Sequence, residues 1–218
     1  MGGKLIVLSG PSGAGKGSLC EKLIERTGAE LSISATTRKR REGETEGVDY
    51  FFKTEEEFVD LINNDGFIEH VENFGRRYGT LASYVSEKNK SGKDIILEID
   101  VQGGKKIRNK YPDAVLIMVL PPSYNDLEKR LRKRGTETEE EIGIRIGKAV
   151  REIAKIWDYD YYIINDDLER AVADGERILG SVHTGKDNVS DLKVTPEKAE
   201  QIQKKFEEEE RNALSGNK

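Results

Sequence analysis

The stretch Leu5-Ile6-Val7-Leu8-Ser9-Gly10-Pro11-Ser12-Gly13-Ala14-Gly15-Lys16-Gly17-Ser18 decides the fold. Its run of apolar residues ending in Ser-Gly-Pro reads as a short buried strand that meets a loop. Beyond the loop Leu19, Leu23 and Ile24 fall at helical spacing, and Gly28 follows the last periodic residue as a stop. Strand, glycine-rich turn and helix in that order are the setting in which G-x-x-x-x-G-K-[ST] cradles phosphate. Gly10 to Lys16 satisfies that pattern as far as the lysine, while Gly17 takes the usual hydroxyl position and Ser18 supplies the hydroxyl one residue later. Glycines let successive N–H groups turn toward one centre, the helix start adds positive potential, and Lys16 can bridge terminal phosphates. Such a nest suits a nucleoside triphosphate. Cys20 reads as a small residue of the helix.

Working outward, two more apolar runs, Asp94 to Ile99 and Ala114 to Leu120, flank a segment beginning Gln102-Gly103-Gly104 that holds a crossover helix, and Tyr161 to Ile164 supplies a fourth strand. Strands alternating with helices imply a parallel α/β sheet whose ligands bind at the carboxyl ends of the strands. Leu31-Ser32-Ile33-Ser34 and Tyr50-Phe51-Phe52 read as strands of an inserted lobe over about residues 33–90. From Pro122 to Ile156 the chain is helical and charged, and the charge pattern alone reads as a solvated face. Thr195-Pro196 opens a last charged helix with Ala199, Ile202 and Phe206 on one side, after a flexible linker from Thr184 to Ser190. The single tryptophan, Trp157, reads as core or as packing against the charged helices.

With 218 residues, 35% of them apolar and 35% charged, the chain is long enough for one large domain and too apolar for disorder. A net charge of -5 gives no global attraction for nucleic acid. Two histidines and one cysteine argue against a structural zinc site. The longest apolar run is too short for a membrane span, and the opening residues lack the zones of a secretion signal. The lone cysteine suits a reducing compartment, so the expectation is a cytoplasmic protein with no membrane or nucleic-acid partner.

Within the insert, Arg38, Lys39, Arg40 and Arg41 stand beside Ser34, Thr36 and Thr37, and Asp49-Tyr50, Glu69 and Arg77-Tyr78-Gly79-Thr80 follow in the same lobe. Guanidinium groups and tyrosine hydroxyls hold phosphate well, arginine in bidentate fashion. Here the sequence resembles the guanylate kinases over about Lys4 to Gly180. The motifs that carry the resemblance are Ser9 to Lys16, Ser34-Ala35-Thr36-Thr37-Arg38, Gly47-Val48-Asp49-Tyr50, Phe67-Ile68-Glu69, Tyr78-Gly79-Thr80, Ile99-Asp100-Val101-Gln102-Gly103, Pro121-Pro122-Ser123, Arg134 to Thr138 and Ile164-Asn165-Asp166-Asp167.

The resemblance implies a P-loop α/β core with helices on both faces of a parallel sheet, over residues 1–32 and 91–182. Added to it are a mixed α+β GMP-binding insert over 33–90, a helical lid at about 125–150, and a peripheral linker with a charged helix over 183–218. It implies phosphoryl transfer from ATP to GMP, and to dGMP, in purine nucleotide metabolism. Gly10, Pro11, Ser12, Gly13, Ala14, Gly15, Lys16, Gly17, Ser18, Arg130, Arg134 and Asn165 would bind ATP. Ser34, Arg38, Arg41, Tyr50, Glu69, Tyr78, Thr80, Asp100 and Arg145 would bind GMP, with Arg38, Arg41, Tyr50 and Tyr78 on its phosphate and Ser34, Glu69 and Thr80 reading its base. Lys16, Arg38, Arg41, Arg134, Arg145 and Asp100 would serve catalysis, and Ser18 and Asp100 would face Mg2+ through water. Asn165 is read equally as a turn former, and Asp100 as a strand-end carboxylate.

Glu69 has a physical rationale: a carboxylate can accept from both N1–H and the 2-amino group of guanine, a donor pair that adenine lacks. The sequence departs from the family at Arg40, Glu98, Leu81 and Gly17, without removing a named role. His70 and His183 carry no required chemistry. The alternatives are a non-catalytic protein-interaction domain of the same fold, disfavoured by Lys16 and the lid arginines, and a kinase of another small phosphorylated acceptor. The assembly expected is a monomer or homo-oligomer.

Overall fold

The computed structural model describes residues 3–73, 75–133 and 138–216. Its strands are β1 (Leu5–Ser9), β2 (Glu30–Leu31), β3 (Ser34–Thr36), β4 (Phe51–Phe52), β5 (Phe67–Asn73), β6 (Arg76–Leu81), β7 (Ile95–Glu98), β8 (Val115–Leu120) and β9 (Tyr161–Ile164). Its α-helices are α1 (Lys16–Thr27), α2 (Glu55–Asn63), α3 (Ala82–Asn89), α4 (Val101–Lys110), α5 (Tyr124–Lys133), α6 (Glu139–Ile153), α7 (Leu168–Thr184) and α8 (Pro196–Gly216). A five-stranded sheet runs in the order β2-β7-β1-β8-β9, and a four-stranded sheet in the order β4-β3-β6-β5. The described chain divides into two compact units, one of residues up to Val7 with Gly28–Ala114, the other of Leu8–Thr27 with everything from Val115 onward.

In the first unit β2 pairs in parallel with β7, Glu30 opposite Ile95 and Leu31 opposite Ile96, and Ser32 N–H extends that ladder to the Ile96 carbonyl at 2.8 Å. The chain then changes sheets. Ser34 pairs antiparallel with Thr80 of β6, and Ala35 in parallel with Phe51 of β4. The expected single strand from Leu31 to Ser34 is therefore two, because four extended residues do not encode which neighbour receives their N–H groups. The four-stranded sheet is mixed, and Ala35, Phe58 and Phe67 form its core with Phe51, Leu61, Ile62 and Leu81 packed around them. Leu81, one of the departures from the family pattern, fills space there. α2 opens on a capping box in which Thr54 and Glu57 satisfy each other's backbone N–H.

In the second unit every residue of β8 is buried, as its continuous apolar run demands, and β8 pairs in parallel with β9 from Ile117 opposite Tyr161 to Leu120 opposite Ile164. α1 buries Leu19, Cys20 and Leu23 and stops at Gly28, whose φ of 70° suits the residue after a helix end. α7 continues past Gly180 to Thr184 and ends at Gly185 in the left-handed region. The segment from Thr184 to Ser190 is tied down where a flexible linker was expected. Val189 is fully buried, Ser181 Oγ donates to the Lys186 carbonyl at 2.6 Å, and Arg177 binds the Asp191 carboxylate at 2.8 Å.

α8 starts as expected, with Lys198 N–H bonded to Thr195 Oγ1, and buries Ala199 and Phe206. It packs on α5, α6 and the 3-10 turn Ile156–Asp158. Trp157 in that turn is 50% exposed, and its indole donates to Gln203 Oε1 at 3.3 Å. Half exposed, it is not a core residue, and its polar edge is claimed by α8. No described helix is long and apolar enough to cross a membrane.

Candidate active site

The second unit holds the phosphate cradle. β1 ends at Ser9 and α1 begins at Lys16, so Gly10 to Gly15 form the turn between them. Gly10 and Gly15 both have positive φ, and a Cβ would meet the Val119 carbonyl at 2.2 Å or the Asn165 amide at 2.3 Å. Glycine is therefore required there by conformation and by space. Lys16 Nζ folds back to the Gly10 and Pro11 carbonyls at 2.7 and 3.0 Å, within the loop it would serve. Ser18 is exposed in the first turn of α1.

Three side chains brace this loop. Asn165, buried at the end of β9, donates its amide to the Ala14 and Gly15 carbonyls at 2.9 and 3.3 Å. Arg130 of α5 donates to the Asn165 carbonyl at 2.7 Å and to the Ala14 carbonyl at 3.4 Å. Arg145 of α6 reaches Ser12 Oγ at 3.4 Å. Beneath the loop Tyr159 O–H donates to Ser9 Oγ at 2.8 Å, a buried pair that no sequence motif indicated. Arg130 and Arg145 are thus drawn from helices of apparently solvated pattern onto the phosphate loop. Arg134, expected alongside them, lies outside the described residues.

The first unit holds a buried polar pair. Glu69 on β5 and Thr80 on β6 are paired in register beside a β-bulge, both are buried, and Thr80 Oγ1 donates to Glu69 Oε1 at 2.7 Å. Glu69 Oε2 is buried with no hydrogen-bond partner. Burial raises the Glu69 carboxyl to about 7, the Asp100 charge adds to the rise, and the Thr80 bond and Lys106 oppose it. Ser34 stands opposite Thr80 across the ladder.

Asp100 follows β7 as the N-cap of α4, its Oδ1 accepting from Gly103 N–H at 2.9 Å and its Oδ2 from Asn73 Nδ2 at 3.4 Å. A Cβ at Gly103 would lie 2.9 Å from Glu69 Oε2. A glycine inside a helix weakens it by about 1 kcal/mol. Here it leaves room for a carboxylate.

Of the four residues expected on the acceptor phosphate, Arg38, Tyr50 and Tyr78 come together. The Tyr50 and Tyr78 rings meet edge to face at 6.2 Å, and the Arg38 guanidinium lies 5.2 Å from the Tyr50 ring centroid. Burial raises the Tyr50 hydroxyl pKa, keeping it a donor. The sequence reading missed Glu44, which accepts from Arg38 Nη2 at 2.6 Å and Nη1 at 3.0 Å and from Arg41 N–H at 2.7 Å. It holds the arginine turn in shape, and Arg40 donates to its carbonyl. The signal was present in the spacing, an acid six residues after Arg38, but such acids are common in charged turns. The Arg41 side chain is exposed, as is that of Arg40.

A family profile described as guanylate kinase matches residues 2–182. The chain belongs to the guanylate kinase family. It is 50% identical over 171 residues to a guanylate kinase of Caldanaerobacter subterraneus subsp. tengcongensis, covering 78% of this chain and 83% of that one. With a guanylate kinase of Clostridium acetobutylicum it is 46% identical over 195 residues, 88% and 93% of the two chains. The crystal structure of guanylate kinase from Anaplasma phagocytophilum superposes with a TM-score of 0.68 at 34% identity, covering 86% and 88%. The fold is accordingly a P-loop α/β core with a mixed second sheet, and the chain is a nucleoside monophosphate kinase of this family.

Proposed function

We propose that the chain moves the terminal phosphoryl group of ATP to GMP, giving ADP and GDP, with dGMP as a second acceptor. The observation that carries the choice of acceptor is the buried Glu69 carboxylate, one oxygen bonded to Thr80 and the other without a hydrogen-bond partner. An unsatisfied buried acceptor is costly, and guanine supplies the two adjacent donors that would satisfy it. Adenine presents an acceptor in that place and would leave the carboxylate unpaired.

In this reading Ser34, Glu69 and Thr80 hold the base, and Arg38, Arg41, Tyr50 and Tyr78 hold the acceptor phosphate. The Gly10–Gly15 loop, Lys16 and the first turn of α1 hold the triphosphate. Arg130, Arg134 and Arg145 neutralise charge on the transferring group, which is the main task in phosphoryl transfer. A kinase of this family takes ATP with a divalent metal, and we assign Mg2+. Among the described residues no group of three or more His, Cys, Asp or Glu side chains is placed to hold a metal. That donor set fits an ion carried on substrate oxygens with few protein ligands, Ser18 and Asp100 being the candidates through water. When bound, the ion would offset the charge of the phosphates. Such an enzyme belongs to purine nucleotide metabolism, and we place it in the cytoplasm.

The test is an ADP-release assay with ATP and, separately, GMP, dGMP, AMP, CMP and UMP. Turnover with GMP and dGMP alone is expected. Equal turnover with AMP would remove the base-reading role from Glu69.

A further inference from the structure

α8 is the part of the chain that the kinase reading leaves unused, lying beyond the matched residues 2–182. Its placement is specific. Its apolar face, Ala199 and Phe206, is buried, and it packs on both α5 and α6. At its far end Glu209 Oε2 accepts from Tyr124 N–H at 2.7 Å, and one turn earlier Lys205 Nζ donates to the Pro122 carbonyl at 2.7 Å. Both contacts grip the residues at which α5 begins.

The first N–H groups of a helix have no partner within the helix and carry its positive end. In α5 the Asp126 N–H is met locally by Ser123 Oγ, and the Tyr124 N–H is met by a carboxylate from 85 residues further along the chain. From that anchored turn α5 runs to Arg130, which spans the Ala14 and Asn165 carbonyls of the phosphate loop. Leu127 and Leu131, on the same helix, would be met by a Cβ on Gly13 at 2.9 and 3.3 Å. The register of α5 along its own axis is therefore read directly by the loop, and one end of that register is held from α8.

We propose that α8 is a built-in brace of the catalytic lid, with Glu209 and Lys205 as positioning residues that fix α5 so that Arg130 meets the triphosphate. This rests on the assignment of Arg130 to the transferring phosphate. The brace acts through α5 and touches no substrate. Its loss should appear in turnover and in the KM for ATP, with the KM for GMP unchanged.

The experiment uses the full chain carrying Glu209→Ala with Lys205→Met, which removes the acceptor and the donor and keeps the apolar face of α8 intact. Trp157 is the only tryptophan and its indole bonds Gln203 of α8, so its emission reports docking independently of activity. The expected result is unchanged Trp157 emission with kcat lower by about tenfold, which corresponds to roughly 1.4 kcal/mol of lost positioning. A chain ending at Thr195 should lose more turnover and shift the emission to the red. Wild-type kcat and KM for ATP in the double variant would overturn the brace, whatever the truncation does. Arg130→Ala separates the readings. If it slows turnover while the double variant does not, the brace alone fails; if it leaves turnover untouched, the underlying assignment of Arg130 fails.

Discussion

Glu69 concentrates the residue-scale physics. Its carboxyl holds a proton up to about 7, against a starting value of 4.5. Between those values the folded chain binds more protons than the unfolded one, so this group's effect on stability worsens as pH rises through the window and is complete above it. Guanine recognition needs the ionised form, so the sign for binding is opposite. GMP affinity should weaken as pH falls from about 8 toward 6.5, approaching tenfold per unit below 7, a window chosen because the GMP phosphate itself titrates near 6. Calorimetric titration across that range checks the slope, and Glu69→Gln should flatten it and lower the preference for GMP over AMP. Gly103→Ala tests the neighbouring space. The added methyl helps helix propensity but meets Glu69 Oε2 at 2.9 Å. The KM for GMP should rise about tenfold or more from misplacement of the carboxylate, with the unfolding temperature little changed. An unaltered KM would show that the carboxylate can move aside freely. The role proposed for Glu69 was legible in the sequence through the Phe67-Ile68-Glu69 motif of the family resemblance. Gly103's duty was not, since the atom it yields to lies 34 positions away on β5.

At the scale of elements, local rules suffice for much of the chain. β1, the glycine turn and α1 follow from apolar run, turn chemistry and helical period, and α6 begins where Thr138 and Glu141 form a capping box. Replacing Lys16 with Met should leave the circular dichroism spectrum unchanged and lower turnover by about a thousandfold, the scale of losing a charge on the transferring group. Thr138→Ala should lower stability by about 1 kcal/mol in denaturant titration, the usual worth of such a cap. It should also loosen the helix that carries Arg145. Where sequence reading went astray, two elements competed for the same residues. Leu31 to Ser34 serves two sheets, and the charged pattern of α5 and α6 taken alone reads as a solvated face, although both helices bury apolar residues and send arginines to the loop.

For the whole molecule, transfer to GMP must outrun transfer to water, which requires water to be excluded when both nucleotides are bound. Small-angle scattering should therefore show a smaller radius of gyration with GMP and an unreactive ATP analogue together than with either alone. Equal profiles would show that exclusion needs no closure. The amino-acid order by itself determined the phosphate loop, the alternation of strands and helices, and the residue types able to read guanine. These depend on backbone sterics, period and short-range hydrogen bonds, which neighbours in the chain carry between them. Tertiary structure alone decided that Gly103 makes room for Glu69, that Asn165 and Arg130 close on the loop carbonyls, and that α8 holds the start of α5. Those contacts join residues 34 to 151 positions apart, and their partners are selected by packing and by the need to satisfy buried polar groups once the chain has folded.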